Sequence, residues 1–231
     1  MHKTQALVFA AAFILIISLV YIFYLPPIQK EMKMETFEGN ISLPQPKYSS
    51  TVSVEEAILK RRSVREYAKG DLTPEEISQI LWSAQGITDE AKGFRAAPSA
   101  GALYPLEIYL VTRDGIFHYK PDAHALTQTY RGDIRKSLAQ AAVGQEWVEE
   151  APATLVITAI FERTTWKYGE RGIKYVYMEA GHAAQNVYLQ SVSLGLGSVV
   201  IGAFYDEEVQ KLLNLSSEYK PVYMMSIGRQ R

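Results

Sequence analysis

The chain of 231 residues contains no cysteine. Disulfide scaffolds, iron–sulfur clusters, cysteine-based zinc sites and thiol nucleophiles are therefore excluded. Histidine is scarce as well, with four residues at positions 2, 118, 124 and 182. No two of them have the spacing of paired metal ligands on one helix, such as H-x-x-x-H, so the sequence gives no support for metal catalysis.

An excess of charge of either sign is also lacking. There are 24 lysines and arginines against 25 aspartates and glutamates, which gives a net charge of −1. This balance does not favour binding of nucleic acid through bulk positive charge. Hydrophobic residues make up 48 % of the chain and charged residues 21 %, close to globular averages, which excludes a disordered, collagen-like or coiled-coil protein.

One long hydrophobic run stands at the N-terminus. Ala6 to Leu25 reads ALVFAAAFILIISLVYIFYL and carries no charge. A helix of this length spans about 30 Å, the thickness of the hydrocarbon layer of a bilayer. The run is longer than a signal-peptide core and lacks the polar stripe of a buried helix. We expect residues 1–27 to form a single-pass transmembrane anchor in the cell membrane. Lysines flank both ends, so the side occupied by the rest of the chain stays open.

Two regions follow this anchor. Residues 28–52 are polar, contain Pro44 and Pro46, and predict a linker. Residues 53–231 predict one domain, in which helix starts capped by Ser53 and Thr73 are followed by alternating strands and helices. The continuous apolar run Ala153–Ile160 predicts a buried strand. We expect an α+β domain with a mixed β-sheet flanked by helices.

Four segments of this domain could carry chemistry. Lys60–Arg65 (KRRSVR) is either a receptor for phosphate or the solvated basic end of a helix. Ala97–Pro105 (APSAGALYP) is a small-residue loop that a flat ligand can approach, or an ordinary turn. Gly195–Phe204 leads from a long helix into a strand, and Gly228–Arg231 follows the last predicted strand with two arginines.

Together, these segments are similar in order and spacing to the FMN-dependent nitroreductase family. The match is nearest to its SagB-type branch, the thiazole/oxazole-forming dehydrogenases that oxidise azolines. It covers residues 53–231 and is carried by ILKRRSVREY, RAAPSAGALYPLEIYLV, YMEAGHAAQNVYLQSVSLGLGSVVIGAF and SIGR. The resemblance implies a nitroreductase-like fold and a homodimer that binds FMN near the subunit interface. The expected electron donor is NADH or NADPH, with another organic donor as the alternative.

The resemblance assigns roles to individual residues. The ligands of the phosphate, ribityl chain or ring would be Arg61, Arg62, Ser63 and Arg65, and the distal phosphate ligands would be Arg229 and Arg231. The loop against the ring of the other subunit would consist of Pro98, Ser99, Ala100 and Gly101. The backbone beside flavin N5 would be that of Val200, Ile201 and Gly202. Members with nitroaromatic activity carry asparagine where Ala102 stands and an acidic residue where Gly202 stands. These departures favour the azoline-oxidising branch.

Azoline oxidation also requires that a proton leave a carbon atom, and the azoline-oxidising relatives use a Lys-Tyr pair for it. Lys174-Tyr175 is the candidate here, although a solvated lysine beside a packed tyrosine also fits the dipeptide. We expect an FMN-dependent oxidoreductase with a small-molecule or peptide substrate. The alternatives are a SagB-type peptide azoline dehydrogenase and a non-catalytic flavin-binding protein. The even charge balance disfavours a tethered domain that binds anionic lipid.

Overall fold

The computed structural model describes residues 39–231. The predicted transmembrane anchor, residues 1–27, and residues 28–38 of the predicted linker lie outside the described residues. Between Gly39 and Arg231, no helix combines the length and the apolar character that crossing a membrane requires. The anchor therefore stays a prediction from sequence.

Nine strands and seven α-helices make up the described part of the chain. The strands are β1 (Asn40–Ser42), β2 (Ile87–Asp89), β3 (Phe94–Arg95), β4 (Leu106–Thr112), β5 (Gly115–Lys120), β6 (Ala125–Arg131), β7 (Ala153–Ile160), β8 (Leu196–Ile201) and β9 (Tyr219–Arg229). The helices are α1 (Val54–Lys60), α2 (Pro74–Gln85), α3 (Arg135–Ala141), α4 (Glu146–Glu150), α5 (Glu162–Tyr168), α6 (Arg171–Ser193) and α7 (Asp206–Leu212).

Seven of the strands form one sheet in the order β1-β6-β5-β4-β7-β9-β8. Helices flank this sheet, which confirms the α+β, nitroreductase-like class. Every pairing between its described strands is antiparallel, so the expectation of mixed strand directions is wrong. The cause is β9, which inserts between β7 and β8 and runs antiparallel to both. The two parallel strands that α5 and α6 connect are therefore not neighbours.

Strand β7 lies at the centre of the core because helices cover both faces of the sheet. All eight of its residues are buried, as the continuous apolar run predicts. Leu155 and Ile157 pack with side chains of α2 and α6 on one face. Val156 packs with side chains of α3, α4 and α7 on the other face. A strand buried on both faces has no solvent side, so apolar residues occupy both sets of alternating positions.

The predicted starts of the first two helices are confirmed. Ser53 caps α1 by accepting a hydrogen bond of 3.1 Å from the Glu56 N–H. Thr73 and Glu76 form a reciprocal capping box at the start of α2, with hydrogen bonds of 3.2 and 2.7 Å. Gly86 ends that helix. These caps fix where the loops on either side of each helix begin.

Helix α6 crosses one face of the sheet and is the longest helix in the described residues, with 23 residues. Ala180, Ala183 and Ala184 are buried against the core. Their small side chains let the helix axis lie close to the sheet and to α2. Gly181 and His182, on the opposite side of the helix, are exposed. The chemistry-bearing segments described below are arranged along this helix.

The described part of the predicted linker is not a free spacer, and this prediction needs correction. Asn40–Ser42 form β1 and pair with β6 at the edge of the sheet. Gln79 then holds the Lys47 backbone through hydrogen bonds of 2.8 and 2.9 Å. Sequence reasoning missed both strands because NIS and ALTQTYR are short edge strands rich in polar residues. The domain begins no later than Asn40, rather than at Ser53.

Candidate functional site

The first group of predicted site residues forms the loop that follows α1. We call this the arginine loop, and it contains Arg61, Arg62, Ser63 and Arg65. The loop is attached to β8, because the Val64 N–H donates a hydrogen bond of 2.9 Å to the Ser198 carbonyl and Ser63 forms a parallel bridge with Ser198. The arginine loop therefore runs beside the strand that ends in the predicted segment Val200–Gly202.

Tyr188 of α6 joins the arginine loop to β8. Its hydroxyl oxygen lies 3.2 Å from Ser63 Oγ and accepts a hydrogen bond of 3.0 Å from the Val200 N–H. The Arg61 guanidinium lies over its ring, 5.0 Å from the centroid, where a cation and an aromatic ring attract each other. Sequence reasoning missed Tyr188, since 125 positions separate it from Ser63. The sequence signal that could have indicated a buried Tyr188 is its position four residues after Ala184, which places both side chains on the same face of the helix.

The arginines of this loop keep most of their capacity to bind an anion. Arg62 donates to the backbone carbonyls of Leu59 and Arg61, and the Arg65 guanidinium lies 5.3 Å from the ring centroid of Trp147. Within residues 39–231, none of the loop's arginines forms an ion pair with a carboxylate. Free guanidiniums donate charge-assisted hydrogen bonds to phosphate, so this donor set fits the phosphate of FMN.

The two predicted distal phosphate ligands, Arg229 and Arg231, differ in their contacts with the rest of the chain. The Arg229 carbonyl accepts a hydrogen bond of 2.9 Å from the Ala68 N–H, which places its backbone next to the end of the arginine loop. Its guanidinium is held by both carboxylate oxygens of Glu76, at 2.8 and 3.0 Å. A phosphate would therefore compete with Glu76 for Arg229. Arg231 is exposed.

The predicted segment at the end of β8 offers mainly backbone groups. Ile201 is 2 % exposed and its side chain belongs to the core. Val200 is half-buried, with its N–H bonded to Tyr188, whereas Gly202 is exposed just beyond the strand. A ligand at this strand end would meet the peptide groups around Gly202 and not the Ile201 side chain.

The segment predicted to contact a flavin ring forms a tight turn, which continues to Tyr104. We call it the Pro98 loop, and it includes Pro98, Ser99, Ala100 and Gly101. The Ser99 carbonyl accepts from the Ala102 N–H at 3.1 Å, and the Ser99 hydroxyl from the Tyr104 N–H at 2.9 Å. Gly101, Ala102 and Tyr104 have φ values of +65°, +55° and +45°. This region costs about 1–2 kcal/mol for a residue with a Cβ, so neighbouring groups must hold the loop in place.

A buried carboxyl group lies beneath the Pro98 loop. Glu179 of α6 is 2 % exposed and accepts a hydrogen bond of 3.5 Å from Gln85 Nε2. Burial raises the pKa of Glu179 to about 7, although Ser99, Gln85 and the charge of Arg95 act to lower it. Arg95 in turn donates to Gln85 at 3.2 Å. Sequence reasoning missed Glu179, because a lone glutamate in a helix is usually exposed.

The candidate catalytic pair lies in the first two turns of α6, close to the Pro98 loop. The Tyr175 ring meets the Tyr168 ring edge-on, with centroids 5.2 Å apart. The Tyr168 hydroxyl lies 2.7 Å from the point that a Cβ on Gly101 would occupy. Lys174 is exposed beside them. The lack of a side chain at Gly101 therefore lets the loop approach the aromatic pair.

The predicted site residues thus form two groups within one chain. Tyr188 bonds to Ser63 of the arginine loop, whereas Glu179 lies in α6 near the Pro98 loop. Nine residues of helix separate these two side chains, about 13 Å along the axis. Among the hydrogen bonds of residues 39–231, none connects one loop to the other. Both loops nevertheless contact α6, which fixes the distance between them.

The chain belongs to the nitroreductase family. The family model described as "Nitroreductase family" matches residues 58–229, a span that contains both loops and the end of β8. Proteins of this family are generally flavin-dependent oxidoreductases. Within the family, the chain lies near the SagB-type branch, as its sequence motifs predict.

Three known proteins illustrate this relationship. The protein named "Putative nitroreductase MJ1384" from Methanocaldococcus jannaschii is 48 % identical over 184 residues, which cover 77 % of this chain and 91 % of that protein. The crystal structure of a "putative nitroreductase" from Ralstonia eutropha JMP134 is similar with a TM-score of 0.76 at 27 % identity, covering 87 % of this chain and 99 % of that one. A chain of the Escherichia coli microcin synthetase McbBCD complex, with truncated pro-MccB17 bound, gives a TM-score of 0.64 at 26 % identity and coverages of 90 % and 83 %.

The buried Glu179 predicts an unusual pH dependence of stability. Its pKa is about 7 in the folded chain, against 4.5 for an exposed glutamate. The folded state therefore holds a proton that the unfolded state releases, and stability falls as the pH rises from about 4.5 through 7. Glu179→Gln removes this term, so relative to wild type the variant gains about 2–3 kcal/mol in free energy of unfolding between pH 5 and pH 8.

Urea unfolding at the two pH values measures this difference. Glu207→Gln serves as the control, because Glu207 is an exposed glutamate of α7, and its difference from wild type should not change with pH. Glu179→Gln curves that stay parallel to wild type over the same range would contradict the prediction.

Proposed function

We propose that the chain is an FMN-dependent oxidoreductase of the nitroreductase type. The observation that carries the proposal is the arginine loop, whose guanidiniums have no carboxylate partner in the described residues and lie beside the end of β8. In a family of flavin-dependent oxidoreductases, the phosphate of FMN is the anion that this donor set fits. When bound, FMN supplies hydride transfer at its N5 atom, for which we propose NADH or NADPH as the donor.

The chain's own residues bind and orient in this proposal. Arg61, Arg62, Ser63 and Arg65 hold the phosphate and ribityl groups, with Arg229 and Arg231 as further phosphate ligands. Tyr188 keeps Ser63 and Val200 in a fixed relation, so that the phosphate end and the ring end of the site cannot move independently. The peptide groups of Val200–Gly202 face the reactive edge of the ring. Nearby guanidiniums and N–H groups stabilise negative charge without having to reorganise.

We also propose that two copies of the chain complete the site, with Pro98–Gly101 of one copy against the ring held by the other. The separation of the two loops within one chain supports this arrangement. Exposed apolar side chains support it as well, namely Ile58 and Leu59 on α1 and Tyr177 and Met178 on α6. Clusters of exposed apolar residues of this kind are typical of protein interfaces.

The arginine loop is tested by the double variant Arg61→Ala, Arg65→Ala in the full-length chain. The dissociation constant for FMN should rise by about 100-fold or more, because each charge-assisted contact contributes about 1.5–3 kcal/mol. Titration of flavin fluorescence measures the affinity. Both proteins should run at twice the chain mass of 26.0 kDa.

The control variant Arg113→Ala, Lys136→Ala removes the same charge outside the two loops and should keep the wild-type affinity. Unchanged FMN binding in the arginine-loop variant would show that the phosphate binds elsewhere. Bleaching of bound flavin by NADH or NADPH under argon, followed by recovery with an acceptor, separates an enzyme from a non-catalytic flavin-binding protein.

A SagB-type peptide azoline dehydrogenase is the second candidate function. Two observations favour it: the similarity to a chain of a microcin synthetase complex that was solved with a peptide bound, and the contact of the Tyr175–Tyr168 pair with the Pro98 loop. In this reaction, Lys174 and Tyr175 would take the proton that leaves the azoline carbon. The exposed position of Lys174 leaves room for a peptide above the pair.

Tyr175→Phe tests this candidate. The variant should oxidise a peptide azoline at least about 100-fold more slowly, since general-base catalysis contributes about 10²–10⁴-fold, and should bind FMN as wild type does. Tyr130→Phe, at a tyrosine of β6 that belongs to neither loop, should keep the rate. A Tyr175→Phe variant with the full rate of azoline oxidation would exclude the role.

We propose, finally, that residues 1–27 anchor the chain in the cell membrane as a single pass. The support is the length and apolar character of Ala6–Leu25. The full-length chain should stay with membranes after extraction with alkaline carbonate, whereas a variant without residues 1–27 should be released. Release of the full-length chain would contradict the anchor, and protease accessibility in intact cells reports the side of the domain.

A further inference from the structure

Two polar side chains at the end of α5 converge on the Pro98 loop. The Lys167 ammonium lies 2.9 Å, and the Tyr168 hydroxyl 2.7 Å, from the point that a Cβ on Gly101 would occupy. Because Gly101 has no side chain, both groups can approach the backbone of the loop this closely. An ammonium group and a phenol hydroxyl are therefore brought together beside the segment that is predicted to contact the flavin ring.

The charge of Lys167 is not used by the fold. Arg163, one turn earlier on α5, is paired with Glu107 at 2.7 Å. Lys167, in contrast, forms no ion pair with a carboxylate of residues 39–231, although Glu170 follows it by three positions. Its ammonium lies 5.4 Å from the centroid of the Tyr168 ring, a contact that leaves its N–H groups free to donate.

Tyr168 connects this ammonium with the candidate catalytic pair. Its ring meets the Tyr175 ring edge-on, with centroids 5.2 Å apart, whereas its hydroxyl points to the Pro98 loop. An ammonium and a phenol hydroxyl both donate hydrogen bonds, and such bonds are strongest when the acceptor is ionised. A carboxylate that accepts from Lys167 and Tyr168 would hold the rest of its molecule beside Tyr175.

We propose that Lys167 and the Tyr168 hydroxyl form a subsite for a carboxylate group of the substrate. The proposal rests on the proposed function, because it takes the Pro98 loop to lie against the flavin ring held by the other copy. It adds the substrate class: molecules with a carboxylate close to the reacting group bind in preference to the corresponding neutral amides. Both residues determine specificity in this account, and neither transfers a proton.

The first experiment tests the subsite without flavin. Benzoate and benzamide are similar in size and differ in charge, and the NMR signal of the Gly101 amide in the full-length, flavin-free chain reports their binding at pH 7. Benzoate should bind with a dissociation constant of about 1 mM, as expected for two charge-assisted hydrogen bonds. Benzamide should bind at least about tenfold more weakly, because it offers a neutral acceptor.

Variants separate the charge of Lys167 from a structural role. Lys167→Met should abolish the preference for benzoate, whereas Lys167→Arg keeps the charge and should retain the preference. Tyr168→Phe should weaken benzoate binding about fivefold, since it loses one hydrogen bond and keeps the ring that contacts Tyr175. The control Lys136→Met, at an exposed lysine of α3 outside both loops, should bind both probes as wild type does.

The second experiment tests whether the subsite lies beside the flavin. In the full-length protein with oxidised FMN and no electron donor, benzoate should perturb the flavin absorbance and bind about tenfold more tightly than benzamide. Lys167→Met should remove this difference. The NADH concentration that gives half-maximal bleaching under argon should not change in Lys167→Met, because the phosphates of the donor do not use this subsite.

The outcomes separate the subsite from the proposed function. Equal affinities of the two probes in the flavin-free chain, or a preference for benzoate that survives in Lys167→Met, would overturn the subsite. Equal affinities in the FMN-loaded protein would overturn its position beside the flavin, and weaker NADH binding in Lys167→Met would assign the ammonium to the donor instead. If the flavin-free chain prefers benzoate but does not bind FMN, the proposed function fails while the carboxylate subsite is upheld.

Discussion

The insertion of β9 between β7 and β8 is the constraint on which the rest of the structure depends. It gives β7 a strand partner on each side, which pairs the backbone of this fully buried strand along most of its length. It also sets β8 where Ser198 meets Ser63, and it carries Arg229 to the end of the arginine loop. The location of the arginine loop is thus a product of strand order.

The two loops of the candidate site are stabilised by opposite means. The arginine loop is exposed, and its charges remain available because the fold supplies backbone carbonyls and aromatic rings as their neighbours instead of carboxylates. The Pro98 loop has left-handed backbone at Gly101, Ala102 and Tyr104, and hydrogen bonds of Tyr104 with Ser99, Arg95 and Arg163 hold it in place. Ala102 adds to the strain of this loop, because alanine adopts positive φ less readily than glycine or asparagine does.

Much of the fold follows from local patterns, whereas strand order does not. Ala153–Ile160 could be predicted to the residue, because a run of eight residues rich in β-branched and apolar side chains is too short for most helices and favours a buried strand. The antiparallel sheet could not be predicted, since the position of β9 depends on contacts between distant segments. The arginines could be recognised in the sequence as a run of charged residues. Tyr188 and Glu179 could not be recognised as site residues, because the residues they interact with lie far away in sequence.

The position of β9 has a consequence for the order in which the chain folds. The strand that separates β7 from β8 is also the last strand of the described residues, so β7 and β8 are both made before it. Until Tyr219–Arg229 is present, each presents an unpaired edge, and one of these edges belongs to an eight-residue apolar strand. Such edges pair readily with edges of other chains. Nascent chains at that stage are therefore the form of this protein most exposed to aggregation.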